Sequence, residues 1–114
     1  MNTNMLSWSD FMKVEMRVGT ILEASVFKEA RKPAYKMTID FGKELGIKKT
    51  SAQITELYDF AELIGKQVIA VVNFPPKQIA NIMSECLVLG VVGTDNAVTL
   101  LQPERKVENG MRIG

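Results

Sequence analysis

A proline pair, Pro75 and Pro76, stands between two apolar runs and constrains the fold more than any other feature. Residues 67–73 are largely apolar and β-branched, which predicts a strand buried on both faces. Phe74 and the prolines end that strand, since proline has no amide hydrogen and tandem prolines impose a stiff, extended exit. A second buried strand is expected at residues 85–93. We therefore expect Phe74, Pro75 and Pro76 to form a rigid lip beside a barrel, and such loops often carry binding.

The remaining strands are predicted from alternation of apolar and polar side chains. Residues 13–24 alternate clearly, and Gly19 within them predicts a bulge or a sharp bend. Asp95 and Asn96 predict a hairpin turn, whereas residues 77–84 are expected to be a connection without strands. The other predicted strands are residues 34–41, 47–54 and 97–101.

One helix is predicted between the third and fourth strands. Thr55 is expected to cap it and Gly65 to end it. Three strands, a helix and further strands are the order of the OB-fold, an all-β, five-stranded Greek-key barrel with one short helix. Another small β-barrel is the alternative. The helix is predicted over residues 56–64, and the side chains expected to face the core are Leu57, Phe60, Ala61 and Ile64.

Composition limits the chemistry available to this chain. It has no histidine, which removes the usual general base and most zinc sites. Its single cysteine, Cys86, lies in an apolar pattern and is predicted to be a small buried hydrophobe in a reducing cytoplasm. The net charge of +1 gives no overall attraction to nucleic acid, and no apolar run approaches the roughly 20 residues of a membrane helix. We therefore expect one cytoplasmic, non-enzymatic domain over residues 1–114, without metal, cofactor or membrane insertion.

Five blocks of sequence together resemble one family. They are similar to the tRNA-binding OB-domain family and, within it, to the CsaA group of bacterial secretion chaperones. The resemblance covers nearly the whole chain. It implies an OB-fold homodimer that binds unfolded or precursor polypeptides, together with a capacity to bind tRNA. The blocks are residues 11–21, 30–36, 39–42, 51–55 and 71–76.

The lip and the residues that follow it are the predicted peptide-binding site. Exposed methionine and aromatic side chains adapt to many apolar partners, so extended apolar or mildly basic peptides are expected to lie across them. The alternative is that these side chains only seal the barrel end or a dimer contact. The predicted site comprises Phe74, Pro75, Pro76, Ile79, Ile82 and Met83, with Tyr35 nearby.

A second set of residues is predicted to bind RNA. OB-folds present a sheet face and loops to single strands, using basic grooves and stacking aromatics. The alternative is that each of these polar side chains is simply solvated. The candidates are Arg17, Lys28, Arg31, Lys32, Lys36, Lys48, Lys49, Asn73, Lys77 and Ser84.

Both ends of the chain carry apolar side chains beyond what a small barrel needs. Trp8 and Phe11 flank a short predicted helix and are expected to fold back onto the domain. Met5, Leu6, Trp8 and residues 111–113 are expected to pack against a second copy in an isologous interface.

Overall fold

The computed structural model describes residues 4–114, so residues 1–3 of the predicted domain lie outside it. Most of the regular secondary structure is strand, as predicted. In chain order the elements are α1 (Trp8–Lys13), β1 (Met16–Val26), β2 (Tyr35–Asp40), α2 (Gly42–Leu45), β3 (Ile47–Ala52), α3 (Phe60–Leu63), β4 (Gln67–Val71), β5 (Lys77–Ile79), β6 (Ile82–Ser84), β7 (Leu87–Val88), β8 (Gly90–Val92), a 3-10 turn (Thr94–Asn96) and β9 (Val98–Leu100).

Five antiparallel strands form the main sheet in the order β3-β2-β1-β4-β7. The long strand β1 pairs with β4 over Met16–Thr20 and with β2 over the rest of its length. Two small hairpins, β5-β6 and β8-β9, form separate two-stranded sheets. The curled sheet with a helix between β3 and β4 confirms the predicted OB-fold.

Gly19 does not form a bulge, the first of the two features predicted for it, and serves close packing. The register shift in β1 lies between Ile21 and Glu23, three residues further on. A Cβ atom on Gly19 would stand 2.6 Å from Ile39 Cγ2 and 2.7 Å from the ring of Phe41. The glycine therefore lets two core side chains lie directly against the backbone of β1.

The helix between β3 and β4 is shorter than predicted. Asp59, not Thr55, begins it, because Asp59 and Glu62 form a reciprocal capping box. Gly65 has a φ of +90° and ends it, as expected. Leu63 is the helical side chain in the core, whereas the four side chains predicted to face it, Leu57, Phe60, Ala61 and Ile64, are exposed.

The region after the lip is also more ordered than predicted. Residues 77–84 form the β5-β6 hairpin, whose turn places Ala80 at a φ of +49°. The predicted strand at residues 85–93 is divided into β7 and β8. The predicted turn at Asp95 and Asn96 is confirmed, and both residues have positive φ.

The two ends of the chain meet beside the first half of β1. Val18 exchanges backbone hydrogen bonds with the C-terminal segment, donating to Met111 O and accepting from Gly110 N. Arg112 Nη2 donates to Met12 O at 2.9 Å, which joins the C-terminal segment to α1. Trp8 does not fold back onto the domain as predicted; its side chain is 82% exposed. No helix within residues 4–114 is long and apolar enough to cross a membrane.

Candidate functional site

A large groove opens where the two ends of the curled sheet approach each other. Its volume is about 1240 Å³. Small-molecule pockets occupy roughly 300–1,000 Å³, so the size of this groove suits a polymer. The groove is lined by the β1-β2 loop, the end of β3, the β5-β6 hairpin and the β7-β8 segment, contributing residues 29–32, 34, 51–54, 77–80, 87–90, 92 and 98.

The lining combines an apolar floor with a basic rim. Ile79, Val88 and Val98 are partly buried side chains along the floor. The rim carries three basic side chains, those of Arg31, Lys32 and Lys77, against the single carboxylate of Glu29. No aromatic side chain lines the groove in the part of the chain that the structure describes. The groove therefore offers apolar contact and positive charge, but no ring on which a base could stack.

Thr50 joins β3 to the strand on the far side of the groove. Its hydroxyl is completely buried and donates to Cys86 O at 2.8 Å. The Ser84 hydroxyl lies 3.1 Å from the same Thr50 oxygen. Burial raises the pKa of the Cys86 thiol to about 11, although a hydrogen bond from Thr50 acts to lower this pKa. Cys86 is therefore a protonated core side chain, as the sequence predicted, and not a nucleophile.

Glu85 forms hydrogen bonds with the first part of β3, along the edge of that strand that faces away from β2. Its backbone N–H donates to Lys49 O at 2.8 Å, and its carboxylate Oε1 accepts from Lys49 N at 2.8 Å. Further along, at Ser51, the same edge enters the groove. The groove thus begins where the Glu85 contact ends.

The predicted peptide-binding residues do not all line one pocket. Ile79 lines the groove, while Ile82 lines a separate shallow pocket of about 400 Å³ together with Lys36 and Lys49. Tyr35 is a core residue, not an exposed neighbour of the lip: its hydroxyl donates to Tyr58 O at 2.6 Å. Burial, with Asp59 and Glu62 nearby, raises its pKa. The other members are exposed outside the groove lining: Phe74 (55%), Pro75, Pro76 and Met83 (48%).

Some of the predicted RNA-binding residues are held in internal contacts instead. Arg17 pairs with Glu15 at 2.6 Å and donates to Gly110 O. The Asn73 amide accepts from Glu15 N and donates to Lys13 O, so it fastens α1 to the end of β4.

The other predicted RNA-binding residues fall into three groups. Arg31, Lys32 and Lys77 meet on the rim of the groove, as described. Lys36 lies 5.8 Å from the centroid of the Phe27 ring, in cation–π range, and Ser84 belongs to the Thr50 network. The third group, Lys28, Lys48 and Lys49, lies outside the groove lining.

Several groove residues were absent from the sequence prediction, chiefly Val88, Val92, Val98 and Ser51. They come from β3, β7, β8 and β9, which are far apart in the chain. Only the closure of the sheet brings them together, so no local pattern marks them.

No group of three His, Cys, Asp or Glu side chains within residues 4–114 could hold a metal ion.

Comparison with known proteins is consistent with this architecture. Residues 16–112 match the family described as "Putative tRNA binding domain". The chaperone CsaA of Bacillus anthracis is 51% identical, with a TM-score of 0.91 over 96% of this chain and 99% of that one. The CsaA chaperone protein of Picrophilus torridus is 55% identical, with a TM-score of 0.90 over 96% of this chain and 100% of that one.

The curated relatives are longer proteins. The methionine–tRNA ligase of Chlorobium phaeobacteroides is 36% identical over 109 residues, which are 96% of this chain and 15% of the ligase. The chain thus spans about 15% of the length of that relative. The family match extends over most of the chain, from the first residue of β1 to the C-terminal segment. The chain therefore belongs to the tRNA-binding domain family.

Proposed function

We propose that this protein is a non-enzymatic, cytoplasmic chaperone that holds extended segments of unfolded or precursor polypeptides before secretion. The observation that carries the proposal is the groove, with its apolar floor, its basic rim and its lack of aromatic side chains among the described residues. Base-stacking sites rely on exposed rings, whereas an apolar floor suits side chains of an unfolded chain. The likeness to proteins named as CsaA chaperones supports the same function.

Two substitutions distinguish the groove from the lip as the peptide site. Val92 is exposed within the groove lining and Met83 is exposed outside it, so neither change disturbs the core. We expect Val92→Asp to weaken binding of a reduced, unfolded protein, measured by suppression of its aggregation. Met83→Asp is the matched control and should leave the binding of unfolded protein unchanged. Loss of binding in Met83→Asp alone would move the site to the lip, and full binding in both variants would refute both sites.

We also propose that the protein is a homodimer. The apolar side chains at both ends of the chain are exposed in the single subunit and lie beside each other through the Arg112–Met12 contact. Two grooves in one dimer would raise the apparent affinity for long unfolded chains through effective concentration. Light scattering should give twice the 12.7 kDa subunit mass, and Trp8→Asp should return it to one subunit. A parent protein of one-subunit mass at micromolar concentration would refute the dimer.

A second candidate function is tRNA binding. Arg31, Lys32 and Lys77 meet on one rim although the net charge of the chain is only +1. The family description and the methionine–tRNA ligase relatives support this candidate. Phosphate contacts release counterions, so affinity for tRNA should fall steeply with salt.

The Arg31→Ala/Lys32→Ala double variant tests this rim. It should weaken binding of all RNAs about equally, because phosphate contacts carry no base information. It should also make the affinity for RNA depend less steeply on salt concentration, because fewer phosphates are contacted. A Lys43→Ala/Lys106→Ala variant removes the same charge at exposed positions outside the groove and is the control. An equal loss of RNA affinity in both variants would show that the affinity depends on net charge and not on the rim of the groove.

A further inference from the structure

The basic side chains on the rim of the groove stand next to parts of its apolar lining. Lys77 and Ile79 are two residues apart in β5, so they lie on the same face of that strand, roughly 7 Å apart along it. Arg31 and Lys32 belong to the β1-β2 loop, and Ala30, beside them in the chain, also lines the groove. The basic rim and the apolar lining are therefore parts of one surface.

The groove is also too small for two polymers at once. Its volume of about 1240 Å³ is only slightly above the roughly 1,000 Å³ that the larger small-molecule pockets reach. No aromatic side chain among the described residues lines it, so an RNA bound there would be held through its phosphates by the basic rim. A phosphate paired with Lys77 carries its sugar and base across Ile79, because a nucleotide is longer than the spacing between these two residues.

We propose that tRNA and polypeptide exclude each other from this groove, so that bound tRNA prevents the binding of unfolded chains. The inference rests on both functions proposed above and adds how one of them regulates the other. By linkage, an unfolded chain lowers the affinity for tRNA by the same factor. In a dimer the exclusion applies to each groove separately, so the quantity to measure is the affinity of the grooves for peptide, not the presence of a mixed complex.

A competition titration tests the exclusion on the unaltered protein. The probe is the uncharged peptide SVALSVALS, acetylated and amidated at its ends and carrying a neutral fluorophore. Its binding is followed by fluorescence anisotropy at increasing concentrations of unfractionated tRNA. The apparent Kd of the peptide should rise in proportion to the concentration of free tRNA, roughly elevenfold when tRNA is at about ten times its own Kd. An apparent Kd that reaches a plateau would overturn the exclusion, because a plateau requires both ligands to bind together.

Salt distinguishes competition from damage to the peptide site. Raising the salt concentration releases tRNA from the rim, whereas the uncharged peptide has no charge to screen. With tRNA present, added salt should therefore strengthen apparent peptide binding, up to the value measured at the same salt concentration without tRNA. Peptide binding that stays weak after the tRNA has dissociated would show that tRNA does not act by occupying the groove.

Two variants locate the competition on the rim. Arg31→Ala/Lys32→Ala removes two phosphate contacts and should raise the inhibition constant of tRNA roughly tenfold, once this constant is corrected for the variant's own affinity for the peptide. Lys43→Ala/Lys106→Ala removes the same charge at exposed positions outside the groove and should change the constant by less than about twofold. Undiminished competition in Arg31→Ala/Lys32→Ala would place the tRNA away from the rim and overturn the inference.

The outcomes separate this inference from the functions on which it rests. If peptide and tRNA both bind and the apparent Kd of the peptide is independent of tRNA, both functions hold and the exclusion is wrong. If tRNA does not bind, the second candidate function and this inference fail, while the chaperone function stands. A reduced, unfolded protein that binds when the peptide does not becomes the probe in the same titration. If neither binds, the chaperone function fails and this inference fails with it.

Discussion

Replacing Thr50 by valine tests whether the buried hydroxyl holds the barrel closed. Valine has nearly the same shape, so the change removes the hydrogen bond to Cys86 O without creating a large cavity. A buried carbonyl left without a donor costs roughly 1–3 kcal/mol. Because Ser84 can still donate to this carbonyl, we expect Thr50→Val to lower the free energy of unfolding by about 1–2 kcal/mol, below the upper end of that range.

Ser84 provides a partial substitute and makes the prediction sharper. Its hydroxyl already lies 3.3 Å from Cys86 O and can donate to it when Thr50 is changed. The Thr50→Val/Ser84→Ala double variant should therefore lose more stability than the sum of the two single variants. The Thr50→Ser control retains the hydroxyl and should cost only about 0.8 kcal/mol for the lost methyl group.

Thermal and urea unfolding followed by circular dichroism measure these differences. For a domain of this length a loss of 1 kcal/mol lowers Tm by about 4 °C, so Thr50→Val should lower Tm by about 4–8 °C. A Thr50→Val variant within 0.5 kcal/mol of the parent, with the double variant equally stable, would refute the reasoning.

Three further predictions follow from the packing. Gly19→Ala should destabilise the fold by about 1–3 kcal/mol in urea unfolding, because its Cβ would overlap Ile39 and Phe41; an unchanged midpoint would contradict this. Asn73→Ala should lower stability by about 1 kcal/mol and leave RNA affinity unchanged, which a filter-binding titration checks. The Cys86 pKa is raised from 9.0 to about 11, so the unfolded thiol ionises first and stability should fall between those pH values. Between these pH values the free energy of unfolding should fall by up to about 1.4 kcal/mol per pH unit, and it should fall less steeply in Cys86→Ala.

The fold was predictable from sequence where the signal is local. Period-two alternation located β1 and β2, because each has one face that is more buried than the other. The β5-β6 hairpin was missed because its turn uses Ala80 at positive φ, a conformation that alanine rarely adopts. The helix was predicted four residues too early because Leu57 fits a helical spacing, although the capping box begins at Asp59.

The site was predictable only in part, for a related reason. The basic residues Arg31 and Lys32 could be identified from the sequence because they cluster in one charged loop. Ser51 and Val88 could not, since they lie in different strands and become neighbours of one groove only when the sheet curls. Asn73 and Arg17 were expected to face a ligand, yet Asn73 bonds to backbone groups at the end of α1 and Arg17 donates to Gly110 O in the C-terminal segment. Charge alone does not tell a binding residue from one that fastens two segments together.

Glu85 also acts against self-association of the protein. Exposed strand edges invite pairing between identical molecules, which leads to aggregation. The carboxylate and backbone of Glu85 occupy both groups of Lys49, and the next residue that points to this edge, Ser51, lies inside the groove. We therefore expect loss of the Glu85 side chain to favour edge-to-edge association of the protein.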